Sequence, residues 1–259
     1  MTTEIVRQLT PEEEELAAKR EELLRLEAEL ADRELALANL KAELAAFEGL
    51  YLRRVGVLYA ELDEWNARLA ELRAQQDGTP EAKSEAAEAR SQAQESYSAA
   101  HGEAAEVQPF TPSQELKSLY REAAKRVHPD TAVDENDRKR RERLMTEVNA
   151  AYTAGDEEAL RRILADLESS PDAVRGDGVG AHLVRVLRQL KQVRIRISAI
   201  EAELKSLRQS ETALLREDVR TAQQGGRDLL EELATATREK IATTKKEHEA
   251  ISKGIKDRG

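Results

Sequence analysis

Three consecutive residues, His128-Pro129-Asp130, set an imidazole and a carboxylate on either side of a proline. A proline drives the residue before it out of α geometry, so a helix stops here at a rigid corner. Both polar groups are expected to face solvent, where they can bond to a group on another molecule. The residues offer little for catalysis. There is no Cys, hence no disulfide framework, thiolate metal site or cysteine nucleophile. His101, His128, His182 and His248 are widely spaced, and no pair has a zinc-ligand spacing. Acids are abundant, but nothing places two of them in an apolar cleft that would shift a pKa. The stretch Gly176-Asp177-Gly178-Val179-Gly180 follows no strand and leads to no Gly-Lys-Ser/Thr, so it reads as a hinge rather than a phosphate loop. No catalytic residue, cofactor or metal is expected.

The corner ends a helix opened by Thr111-Pro112-Ser113-Gln114, with Gln114 at the capping-box position. Leu116, Tyr120, Ala123 and Val127 form one inward stripe at helical spacing. Lys117, Arg121 and Lys125 form a basic stripe beside it, and Arg126 widens that face. A second helix turns Leu144, Met145, Val148, Ala151 and Tyr152 inward. Gly155-Asp156 then caps a third that buries Leu160, Ile163, Leu164 and Leu167. Residues 111–170 are thus predicted to be a small unit of three short helices. The run Arg138-Lys139-Arg140-Arg141-Glu142-Arg143 has Asp134, Glu135 and Asp137 beside it, and residues 111–168 hold eleven bases against thirteen acids. It reads as a charged helix start rather than a phosphate-binding site.

The run Tyr120-Arg121-Glu122-Ala123-Ala124-Lys125-Arg126-Val127-His128-Pro129-Asp130, followed by Val148-Asn149-Ala150-Ala151-Tyr152, resembles the J domain of DnaJ-type co-chaperones. In that family a basic helix leads to His-Pro-Asp, and a second, antiparallel helix carries a closing Asn-x-Ala-Tyr. The resemblance runs from Gln114 to Leu160. It implies docking on the ATPase domain of a DnaK-type heat-shock chaperone and stimulation of its ATP hydrolysis, which traps a client protein. His128, Pro129 and Asp130 would be the triggering residues, and Lys117, Tyr120, Arg121, Lys125 and Arg126 the rest of the docking surface. Exposed cations opposite an acidic partner mainly raise the association rate and fix orientation. Glu122 stands where the family often has a base. The family's first helix, with its Tyr-x-x-Leu-Gly pattern, does not directly precede the unit. Either Trp65, Leu69 and Leu72 pack in its place, or the unit is abbreviated. A different reading makes the chain a structural coiled-coil subunit whose insert is an assembly surface without ATPase stimulation.

These groups must be held by the rest of a 259-residue chain that is 36% charged and 3% aromatic, which argues against one large core. Its excess of Ala, Glu, Leu, Arg and Lys points to long helices, and an all-α fold is expected. A net charge of −10 disfavours nucleic acid or an anionic membrane as partner. Met-Thr-Thr-Glu lacks the regions of a signal peptide, and no apolar run approaches the ~20 residues of a membrane span, so a cytoplasmic protein is expected.

The first arm, residues 1–77, opens with the box Thr10-Pro11-Glu12-Glu13 and repeats every seven positions through Leu16, Leu23, Leu30, Leu37, Leu44, Tyr51, Leu58, Trp65 and Leu72. Leu26, Leu40 and Phe47 lie three beyond their partners, but Val55, Leu62 and Leu69 lie four beyond. A bend or change of partner is expected near Gly49 and Gly56. Phe47, Tyr51 and Trp65 read as seam residues rather than a ligand cage. Residues 78–110, rich in Ala, Glu and Ser, can start a helix at the Thr79-Pro80 cap but have no apolar stripe to bury, and they read as a solvated linker.

After a hinge at 171–181, the arm 182–259 carries Leu183, Val186, Leu190, Val193, Ile197, Ile200, Leu204 and Leu207, and Leu214 resumes the pattern. Gly225-Gly226 interrupts it. Because the arms flank the insert, an antiparallel hairpin with the insert at its tip is expected, with Leu37 near Asp218 and Leu30 opposite Gly225. A homodimer through the coiled coils is the other arrangement.

Overall fold

The computed structural model describes residues 10–101, 110–132, 135–168 and 178–256, and the protein is all-α. The helices are α1 (Pro11–Tyr51), α2 (Val57–Asp77), α3 (Pro80–His101), α4 (Gln114–Val127), α5 (Glu135–Ala154), α6 (Glu157–Glu168), α7 (Val179–Arg208), α8 (Glu211–Gln224) and α9 (Leu229–Lys256). Among the described residues no helix is long and apolar enough to cross a membrane. The chain divides into two units, Met1–Ala42 with Phe110–Gln209 and Glu43–Pro109 with Ser210–Gly259.

In the first unit α1 begins with the predicted reciprocal box. The Thr10 amide donates to Glu13 Oε2 at 2.9 Å and the Glu13 amide donates to Thr10 Oγ1 at 3.3 Å. Leu16, Leu23, Leu30 and Leu37 form its seam with Val186, Leu190, Val193, Ile197, Ile200 and Leu204 of α7. Burying one such aliphatic side chain is worth roughly 1.5–3 kcal/mol, so this seam is what holds the pair. The ion pairs Glu22–Arg194, Arg33–Glu201 and Lys41–Glu203 rise together in number, so α1 and α7 run parallel. Leu30 and Leu37 therefore meet α7, where an antiparallel pairing of the arms would have brought Gly225 and Asp218. Apolar heptads carry no direction, and the seam alone did not distinguish the two arrangements. Cysteines at 41 and 203, where Lys41 Nζ lies 2.6 Å from Glu203 Oε1, should be bridged within one chain by a short bis-maleimide. A product that forms only between chains would refute the parallel pair.

In the second unit the antiparallel hairpin is α2 on α3. Gly78, at φ 66°, caps α2 in the left-handed region that favours glycine and donates its N–H to Ala74 O at 3.0 Å. Arg90 of α3 then bonds Glu71 at 2.8 Å and Glu64 at 2.6 Å, while the Ser96 hydroxyl donates to Asp63 at 2.6 Å. Ala86 and Ala93 are buried in the contact. Residues 80–101 are thus a packed helix instead of the expected linker. Its stripe is made of alanines, which let two helices approach closely yet register weakly as an apolar pattern. The remainder of that segment, 102–109, lies outside the described residues.

A π-helical turn, Leu52–Gly56, joins α1 to α2. It inserts one extra residue per turn, and this absorbs the change of seam spacing from three to four. Phe47, Val55, Val219 and Leu230 form a core there with Tyr51 packed against it. Trp65 is half-buried, edge-on to His248 at 5.7 Å with the Lys245 ammonium 5.0 Å from its ring centre. α9 runs parallel to α2 through Arg54–Asp228, Glu61–Lys245 and Arg73–Glu247. Leu214 does not resume the α7 seam and stays 56% exposed. The helix breaks at Gln209 and restarts on a Ser210 cap, and Leu215 and Val219 take over the contact.

Candidate functional site

The insert is built on an antiparallel pair. The Tyr120 hydroxyl on α4 donates to Asn149 Oδ1 on α5 at 2.8 Å, and Arg141 Nη1 donates to the Arg126 carbonyl at 3.1 Å. Ser113, rather than Thr111, is the cap of α4 and accepts from the Leu116 amide at 2.9 Å. α6 closes the unit through Leu160 and Leu164, with Ser113 donating to Glu157 at 2.6 Å.

Tyr120 and Tyr152 are both fully buried with ring centres 4.5 Å apart, and Phe110 meets Tyr152 edge-on at 5.4 Å. Tyr120 therefore lies in the core and not on a docking surface. Burial, then the neighbouring Glu34 and Tyr152, pushes its phenol well above the ordinary value, so it stays neutral.

The same core includes Ala31 and Leu35 of α1, with Ala38 packed against it, and the Tyr152 hydroxyl donates to Asn39 Oδ1 at 2.6 Å. The place foreseen for Trp65, Leu69 and Leu72 is taken by the middle of α1. Ala31, Leu35 and Ala38 form a second stripe on that helix, beside the leucine seam.

At the corner, His128 leaves α geometry with ψ 126° and Pro129–Thr131 form a 3-10 turn. The imidazole is not solvent-facing as expected: His128 is 3% exposed. Its Nδ1 accepts from the Asp130 amide at 3.2 Å, which leaves Nε2–H to donate to Glu34 Oε1 at 3.0 Å. Arg196 of α7 donates to the same oxygen at 2.8 Å. The Thr131 hydroxyl donates to the His128 carbonyl at 2.8 Å, and Gln189 of α7 donates to the Thr131 carbonyl at 3.1 Å. Proline geometry created the corner, and α1 and α7 cover it.

Burial alone would raise the Glu34 carboxyl. The hydrogen bond from His128 and the Arg196 guanidinium outweigh it and hold the group below its ordinary value. A carboxyl depressed in the folded state contributes stability above its unfolded pKa and loses it as pH falls through the folded value. Thermal melts should therefore fall more steeply below about pH 4.5 in wild type than in Glu34→Gln. Superimposable pH profiles would show that this carboxylate is not stabilised by its partners.

The basic stripe is engaged with α1 as well. Arg121 Nε donates to Asp32 Oδ1 at 2.7 Å. Burial lifts the Glu27 carboxyl, against the pull of Lys125, Arg141 and His128. Arg126 donates to Glu122 one turn away at 2.7 Å. Lys125 is exposed and Lys117 half-buried. Pro129 and Asp130 keep access to solvent, lining a cleft of 260 Å³ whose opposite wall is Arg185, Arg188 and Gln189 of α7. In the neighbouring basic run, Arg138 bonds Glu142, Arg140 bonds Asp137, and Arg141 bonds Asp137 and Thr131. Among the described residues no group of three His, Asp or Glu is arranged to hold a metal ion.

Sequence reasoning found the corner and the stripe but missed their covering residues: Asp32, Glu34 and Asn39 on α1, and Arg196 on α7. The one available signal was the Ala31-Leu35-Ala38 stripe, which marks a second buried face of α1. Comparison of the chain with family models, curated proteins and solved structures found no match.

Proposed function

We propose that the three-helix insert is a J-type module of a cytoplasmic co-chaperone, docking on a DnaK-type heat-shock chaperone to stimulate ATP hydrolysis while the long helices bind or position a client protein. The observation that carries this reading is the antiparallel α4–α5 pair with His128-Pro129-Asp130 at its corner. Lys117, Arg121 and Lys125 lie along α4 leading to it, and Pro129 and Asp130 open onto the cleft. Cations so arranged suit an acidic partner surface.

A second reading, a structural scaffold whose insert does not stimulate ATPase, draws support from one observation. His128, the central triggering residue, is bonded inside the molecule. Steady-state ATP turnover of a purified DnaK-type chaperone, with and without the full chain, separates the two. Stimulation that depends on His128 is expected, and its absence at saturating protein favours the scaffold.

A further inference from the structure

Two of the residues assigned to docking, Arg121 and His128, are already bonded by α1 carboxylates of the same chain. Arg121 holds Asp32 at 2.7 Å and His128 holds Glu34 at 3.0 Å. Both acids lie on one stretch of α1, which Ala31 and Leu35 anchor into the core of the insert. An acidic helix set against a basic stripe and a buried imidazole presents the chemistry that an acidic partner surface would bring. Being part of the same chain, it competes at high effective concentration.

Glu34 has a second role, because the oxygen that accepts from His128 also accepts from Arg196 of α7. One buried carboxylate thereby links the α1–α7 pairing to the corner. Loss of either donor leaves the other bonded to a less fully satisfied charge, at a cost that favours keeping all three together.

We infer that α1 is an internal latch: Asp32 and Glu34 occupy Arg121 and His128 as the chaperone would, and docking requires their release. The inference rests on the J-type reading of the insert. A displacement of α7 that draws Arg196 from Glu34 leaves the acceptor of His128 a less fully satisfied buried charge, so that an event at α7 is felt at the docking corner. Apparent affinity for the chaperone is reduced by the fraction of molecules that are open.

The test uses the full chain, a purified DnaK-type chaperone and ATP, without client. Asp32→Asn and Glu34→Gln, alone and combined, remove the latch charges while keeping side-chain size, and neither position belongs to the docking set. The combined variant should reach half-maximal stimulation at an about tenfold lower concentration, the effect of weakening charged hydrogen bonds that hold the closed state. Amides at the C-terminal end of α4 should also exchange faster with solvent, and adding His128→Gln to the combined variant should remove the stimulation.

If wild type and the combined variant stimulate with the same half-maximal concentration, the latch is wrong and the J-type reading stands. If α4 exchange is unchanged in the variant, Asp32 and Glu34 do not hold the face closed, and the latch is again wrong. If neither protein stimulates although exchange shows the variant open, the J-type reading fails and the latch on chaperone docking fails with it.

Discussion

Tyr152→Ala is expected to unfold the insert while leaving the α1–α7 seam paired. The side chain is fully buried, packs on Tyr120 and Phe110, and donates its hydroxyl to Asn39. Removing a buried aromatic ring costs about 3–5 kcal/mol, because transfer energy is lost and a cavity is left. At roughly 0.05–0.15 kcal/mol per residue, a unit of three short helices lies at or below the low end of the usual domain stability of about 5–15 kcal/mol, so this loss is enough to unfold it. The seam has its own core of leucines, valines and isoleucines and does not contain Tyr152. Tyr152→Phe keeps the ring and removes the hydroxyl that donates to Asn39, costing on the order of 1 kcal/mol. Hydrogen exchange resolved by segment checks both variants. Fast exchange in α4, α5 and α6 with protected α1 and α7 seam amides is expected for the alanine variant. Uniform protection in that variant would refute the assignment of Tyr152 as the centre of the insert core.

His128→Gln is expected to bring ATP turnover down to the chaperone's intrinsic rate, since the resemblance makes this residue the trigger. A solvent-exposed histidine would be replaced at little cost in stability, but this one is buried and bonded on both ring nitrogens. Glutamine cannot reproduce that pair of bonds, so a loss of about 1–2 kcal/mol should accompany the functional loss. Stability and stimulation must therefore be separated. Glu34→Gln weakens the same bond from its other end while leaving the imidazole in place. It should lose stability and keep stimulation, or raise it, whereas His128→Gln loses both. Equal stimulation by His128→Gln and wild type would refute the J-type reading at its centre.

Much of this protein was legible in the residues because it depends on local rules. The Thr10–Glu13 box, the stop of α4 before Pro129, the three helices of the insert and their inward stripes follow from capping, proline geometry and helical periodicity, which act within a few residues. The spacing slip near Gly49 and Gly56 likewise marked an irregularity in the helix, and the structure shows it to be a π turn.

Pairing was not legible, because an apolar stripe states that a face is buried and not against what. The leucines of α1 fit a parallel or an antiparallel partner equally. The direction shows only in the folded pair, where Arg33–Glu201 and Lys41–Glu203 rise together in number. Alanines concealed both α3 and the second face of α1, since a small side chain adds little hydrophobic signal yet permits close helix contact. The state of His128 was the least accessible of all. Its burial depends on Glu34, 94 positions away in the chain, and on Arg196 beyond the insert. A buried polar group must be satisfied, but its partner is chosen by three-dimensional proximity, which no local pattern encodes.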